Sequence, residues 1–277
     1  MLKKIAILII TCLFAMTALS GCSIIAKQNE KSLIEDALQK RYGEEFVCMR
    51  TWNNDADGYY SHSFYGLCHP KDDDGLLFEV LSGSDGTLLI DEYASTLASR
   101  IFRDEFDERI GDSLGTHYTY CRNYYDPNGD AVAKRIKNGN FTLEYFMNDY
   151  INTFKSNKLS LYYSICMDIT KTADISYENE YDVIIDTIKH IHRMGQQLGM
   201  DLQISIKFYF VPTEIYQNCV NYFQENANIN SLFYDLIEKN APYGEPKCMI
   251  KFLLKDNKEL ITQEEYIEIR KEIDNNA

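Results

Sequence analysis

The groups of this 277-residue chain best able to do chemistry are five histidines, eight cysteines and a large excess of carboxylates. His190-Ile191-His192 falls on a helical pattern. Residues two apart lie about 200° apart around a helix axis, so the two imidazoles cannot easily grip one ion. A metalloprotease pair is spaced four apart, with a glutamate between. Two surface histidines are the expectation. His62, His69 and His117 are scattered over extended segments or loops, no Gly-x-Ser-x-Gly elbow accompanies them, and Gly83-Ser84-Asp85-Gly86 reads as a turn. No glycine-rich phosphate cradle is present. Asn53-Asn54-Asp55-Ala56-Asp57-Gly58 places oxygen side chains at positions one, three and five and glycine at six, as a calcium loop does. Its twelfth position is Phe64, where a bidentate glutamate belongs, and its first is an uncharged Asn; a hairpin turn accounts for the same residues. Asp126-Pro127-Asn128-Gly129-Asp130 fails similarly, with Ala131 in the glycine position and Lys137 in the glutamate position. No catalytic, cofactor or metal residue is therefore expected.

Cysteine usage points to packing. Cys12 and Cys22 lie at the start, and Cys48, Cys68, Cys121, Cys166, Cys219 and Cys248 remain. No Cys-x-x-Cys occurs, which leaves a zinc ribbon or thioredoxin-type site unsupported. An even six permits disulfides in an exported protein. Their apolar flanks, such as Phe46-Val47-Cys48-Met49 and Tyr163-Ser164-Ile165-Cys166-Met167, favour buried thiols. The adjacent pairs Tyr59-Tyr60, Tyr124-Tyr125 and Tyr162-Tyr163 would each turn one ring to either side of a strand.

The first residues carry an address. Met1-Leu2-Lys3-Lys4 is a short basic start, and Ile5 to Leu19 runs without a charge. That is the layout of a secretory signal peptide. The apolar run falls short of the roughly 20 residues a membrane span requires. The closing Leu19-Ser20-Gly21-Cys22 resembles the lipobox of bacterial lipoproteins. The resemblance implies that the signal is cut before Cys22 and that the Cys22 sulfur carries a diacylglyceryl group. One acyl chain holds a protein marginally; two hold it firmly, each buried methylene contributing about 0.8 kcal/mol. The expected location is the extracytoplasmic face of the cell membrane. Loss of residues 1–21 removes two lysines and no acid, which takes the formal charge from −14 to −16. Such a charge disfavours nucleic acid and adhesion to anionic lipid.

The remaining chain predicts an α+β fold. Residues 22–31 read as a tether. An amino-terminal α-β-β-β-α antiparallel unit is expected over 32–111. Ser32-Leu33-Ile34-Glu35 acts as a capping box, Gly43 ends the first helix, and strands cover Glu45–Trp52, Tyr59–Cys68 and Leu76–Ser82. A helix over Asp91–Ile110 closes the unit. Residues 112–158 connect to a mixed αβ subdomain over 159–277. There strands at Leu159–Ile169, Asp201–Val211 and Cys248–Lys255 alternate with helices at Tyr177–Leu198, after Pro212, at Asn230–Lys239 and after Thr262. Strands separated by helices imply crossovers and some parallel pairing.

Gly43-Glu44-Glu45-Phe46 and Asp91-Glu92-Tyr93 resemble the corresponding stretches of small, uncharacterised lipoproteins of Gram-positive bacteria, over about a third of the chain. The resemblance implies fold and location and carries no chemistry. The functional expectation is a non-enzymatic, lipid-anchored binding protein whose partner is an envelope protein, peptide or glycan. The alternatives are an envelope hydrolase with a site in the cleft between subdomains and a transporter's substrate-binding component.

Overall fold

The computed structural model describes residues 29–53, 63–123, 125, 130–171, 174–225, 249–254 and 261–276. Cys22 and the signal segment lie outside them, as do Cys248, the helix expected over Asn230–Lys239 and most of both calcium-like loops.

By its contacts the chain forms two compact units, one of residues 1–74 and 79–91, the other of residues 75–78 and 92–277. The helix that the spacing assigns to the first unit, Tyr93–Ile110, counts with the second.

The first unit starts with α1 (residues 29–42), whose buried stripe is Ile34, Leu38 and Tyr42 at helical spacing. Ser32 is not its cap: the helix is already formed at residue 29, and Glu35 instead accepts the Cys48 backbone N–H at 2.8 Å. Gly43 ends α1 as expected, with φ of 81° and its N–H on the Gln39 carbonyl at 2.8 Å. Four strands follow in spatial order: β1 (Phe46–Asn53), β2 (Ser63–Pro70), β3 (Phe78–Gly83) and β4 (Leu88–Asp91). The antiparallel β1–β2 ladder ends on Asn53 opposite Phe64. Those are the first and twelfth positions of the calcium-like loop, and they stand opposite one another across the ladder; residues 54–62 between them lie outside those described. The short β4 corrects the expected three-strand count. It is formed because Gly86, at φ of 82°, closes a tight turn after β3. Asp91 ends β4 fully buried; it accepts from the Tyr42 hydroxyl at 2.5 Å and pairs with Arg41 at 2.8 Å. Both halves of the resembling motif are thus joints between helix and sheet.

In the second unit the helices are α2 (Tyr93–Ile110), α3 (Asp130–Lys137), α4 (Leu143–Phe154), α5 (Tyr177–Gln197), α6 (Thr213–Glu225) and α7 (Gln263–Asn276). The strands are β5 (His117–Arg122), β6 (Lys158–Asp168), β7 (Asp201–Val211) and β8 (Met249–Leu254), in that spatial order. Among the described strands of this unit β6 and β7 pair in parallel and the other neighbours antiparallel; α5 makes the crossover between β6 and β7. The helix α3, in the stretch between the two expected subdomains, is not anticipated by the spacing of the sequence. One sheet face carries the main core: Leu159, Leu161, Tyr163 and Ile165 of β6 and Leu202, Ile204, Ile206 and Phe208 of β7 meet residues of α2, α4, α5 and α7. Their period of two is what a half-buried strand requires. At the ends of β6 and β7 burial becomes continuous, because Cys166, Tyr209 and Val211 on the second face pack with Cys219 of α6. Thr262 and Glu265 form the expected capping box of α7: the Thr262 N–H donates to Oε2 at 2.8 Å and the Glu265 N–H donates to Oγ1 at 3.3 Å. Among the described residues no helix is long and apolar enough to cross a membrane.

Candidate functional site

Among the described residues of the second unit, the histidines singled out from sequence each have separate partners. His190 lies between α2 side chains, its Nε2 2.6 Å from Glu105 and its Nδ1 2.7 Å from Arg109 Nη2. His192 corrects the surface expectation. It is buried, with Nδ1 3.0 Å from the Leu202 carbonyl and Nε2 3.1 Å from Gln196. The signal was present: Ile188, His192 and Gly195 share the buried stripe of α5. His69 contacts the Pro70 carbonyl, and His117 contacts the Gly115 carbonyl and faces Asp107 at 3.6 Å. His62 lies outside the described residues. Among those described, no group of three or more His, Cys, Asp or Glu is placed to hold a metal ion. Tyr162 is exposed and Tyr163 buried, as alternation predicts; the other pairs fall wholly or in part outside the described residues.

A charged cluster that the sequence gives no sign of lies where α7 packs on the start of α5. Arg270 of α7 is 2% exposed and Glu180 of α5 is 6% exposed. Arg270 Nε donates to Glu180 Oε1 at 3.1 Å, and the Tyr266 hydroxyl donates to the same oxygen at 2.6 Å. The guanidinium also donates to Asp274 through Nη1, while the Tyr177 hydroxyl donates to that residue's other oxygen. Phe210 and Tyr177 offer ring faces to the guanidinium, their centroids 4.3 and 5.2 Å from Cζ. Burial works against the charge on Arg270, but the Glu180 and Asp274 carboxylates outweigh it and hold its pKa above the ordinary value. Burial and Glu180 both push the Tyr266 phenol well above the usual range, so it stays a donor.

This cluster walls a cavity of about 390 Å³, lined by Ile175, Ser176, Tyr177, Glu178, Glu180, Arg270 and Asp274. The volume is that of a site for a small molecule or a side chain. Its lining carries three carboxylates and one guanidinium; the guanidinium is shared by Glu180 and Asp274, while the positive charge of Lys271 acts on Glu178. The first-turn N–H groups of α5 do not reverse the sign: the Ser176 oxygen takes the Asn179 N–H, and Glu178 and Glu180 occupy the first turn. Glu178 is held below the ordinary carboxylate value by its own backbone N–H and by Ser176. The recess therefore presents negative charge and an aromatic face, which together suit a cation.

A second polar knot closes the carboxyl ends of the parallel strands. Asp168 is fully buried and accepts from the Thr170 N–H at 3.1 Å, the Thr170 hydroxyl at 2.8 Å and the Thr213 hydroxyl at 2.9 Å. Lys171 lies 3.3 Å away. The carboxylate is consumed in tying β6 to the start of α6, so its observed work is structural.

No family model matches the chain, and no curated protein matches it. Among solved structures, a DUF5037 family protein from Ruminococcus gnavus ATCC 29149 superposes with a TM-score of 0.63. The match covers 87% of this chain and 98% of that one at 17% identity. A DUF1672 family protein from Staphylococcus aureus subsp. aureus Mu50 aligns over 65% of this chain and 78% of that one, at 14% identity and a TM-score of 0.28. The first likeness shows a shared fold, and its family name assigns no activity.

Proposed function

We propose that the chain is a lipid-anchored extracytoplasmic protein of the bacterial envelope. It binds a partner without chemical turnover. The diacylglyceryl group on Cys22 holds it to the membrane, and the lipobox with its signal segment supports that location. The cavity at the start of α5 supports the binding role. Its acids and ring are fixed by mutual hydrogen bonds before a ligand arrives, and preorganisation lowers the cost of binding. The ligand group it fits is a protonated amine or guanidinium, such as a basic side chain of an envelope protein or peptide. The overall negative charge of the chain would steer such a partner inward.

The test is calorimetric titration of the chain from Ser23 onward with Nα-acetyl-lysine methylamide and with the same compound acetylated on Nε. Binding of the first and none of the second is the expected result. An exposed ion pair contributes about 0.2–1 kcal/mol, so Glu178→Gln should weaken binding roughly 1.4- to fivefold at low salt. Equal heats for both probes, or an unchanged affinity in Glu178→Gln, would contradict the reading.

A further inference from the structure

The five described cysteines are buried free thiols in this structure, as their apolar flanks predict, and four of them stand in two facing pairs. Cys48 and Cys68 are Cα partners across β1 and β2. Directly opposed residues of antiparallel strands have Cα atoms about 4.5–5.5 Å apart, inside the roughly 4.4–6.8 Å span of disulfides. Their sulfurs crowd one spot: a Cβ added to Gly66 would sit 3.2 Å from Cys48 Sγ and 3.6 Å from Cys68 Sγ. The second pair joins β6 to α6. Cys166 and Cys219 are both fully buried, and they make up half of the four-residue core between the second sheet face and that helix. The neighbouring Cys166 side chain holds the Cys219 thiol below its ordinary value. Cys121 differs: it has Tyr163 as its ladder partner, and burial pushes its thiol up to about 12.

We propose that Cys48–Cys68 and Cys166–Cys219 are two structural disulfides of the exported protein, with Cys121 remaining a thiol. That they form in the cell rests on the envelope location proposed above, since disulfides persist in oxidising compartments. Each forms by exchange with an external disulfide, such as a dithiol oxidase or oxidised glutathione. One cysteine thiolate attacks that disulfide and expels one of its sulfurs as a thiolate. The partner cysteine then attacks the mixed disulfide and expels the other. The pair loses two hydrogens, and the oxidant is reduced to two thiols. Burial of all four sulfurs places this chemistry during folding, before the core closes. The Cys166–Cys219 bond would fasten α6 to a face whose apolar core is otherwise small, and the Cys48–Cys68 bond would fix the β1–β2 register.

The experiment is to unfold and reduce the full chain, then refold it in a buffer of reduced and oxidised glutathione. Remaining thiols are alkylated, and the protein is digested without reductant for peptide mass mapping. Linked peptides carrying Cys48 with Cys68 and Cys166 with Cys219, each two hydrogens lighter than its reduced parts, are expected, together with alkylated Cys121. Alkylation of either member of a pair, or its linkage to a different cysteine, would overturn that pair. Where refolding fails, the same mapping on protein taken from cell membranes after thiol blocking separates linked from unlinked pairs in the same way. Acyl labelling of Cys22 separates the premises. Linked peptides without label would reject the envelope location and keep the pairs; label without linked peptides would reject the pairs.

Discussion

Arg270 is the side chain on which the cavity wall depends. It brings Glu180 and Asp274 together at the cost of burying a guanidinium. Removing one partner of a buried ion pair costs about 3–5 kcal/mol, because the other charge is left uncompensated. Arg270→Met keeps much of the apolar stem, so a loss of that order in a urea titration is the expected outcome. A loss under about 1 kcal/mol would mean that Glu180 finds other partners. Asp168 gives a pH-dependent counterpart. Burial raises its pKa, but the hydrogen bonds from Thr170 and Thr213 and the proximity of Lys171 overcome this, and the net shift is downward from 3.8. A depressed carboxylate stabilises the fold above its unfolded value and loses that contribution as pH falls through its folded value. The melting temperature of Asp168→Asn should therefore lie below that of the parent at about pH 5, with the gap shrinking as pH drops below 3.8. A gap independent of pH in that window would remove the carboxylate's charge from the account. Neither residue was legible as special in the sequence. Arg270 reads as an ordinary helix charge, and its partner Glu180 lies 90 positions earlier in the chain.

Elements were legible where a local rule decides them. The Thr262–Glu265 capping box, the glycine stop after α1 and the alternation along β7 each formed as their spacing requires. Elements were missed where tertiary contacts decide. Ser32-Leu33-Ile34-Glu35 has the composition of a cap, yet Glu35 is drawn to the Cys48 N–H and α1 starts earlier. The strand β4 has four residues, too few to show a period of two. The crossing of α5 over β7 is a further tertiary feature with a measurable consequence. A Cβ on Gly195 would sit 2.3 Å from Leu202 Cγ, and Leu202 is itself locked in the core. Gly195→Ala gains about 0.8–1 kcal/mol of helix propensity. Overpacking a core costs about 1–3 kcal/mol, so the clash should win. A lowered thermal midpoint is predicted for Gly195→Ala, and a raised one would show that the helix slides away from β7 without penalty.

For the whole molecule, the α+β fold could be read from the order of its elements, and the Ruminococcus gnavus protein shares that fold at 17% identity. The cavity could not be read, since it joins the start of α5 to the last helix. The central claim is an anchored binder, and the anchor is its most direct point of test. The chain would be produced in bacteria supplied with an alkyne-bearing palmitate analogue, as parent and as Cys22→Ala, and membranes would be separated from soluble protein. The account predicts that the parent takes up label, remains with the membranes and begins at an acylated Cys22 by peptide mass, while Cys22→Ala takes up none. Equal labelling of the two proteins, or a parent that begins elsewhere without an acyl group, would contradict it.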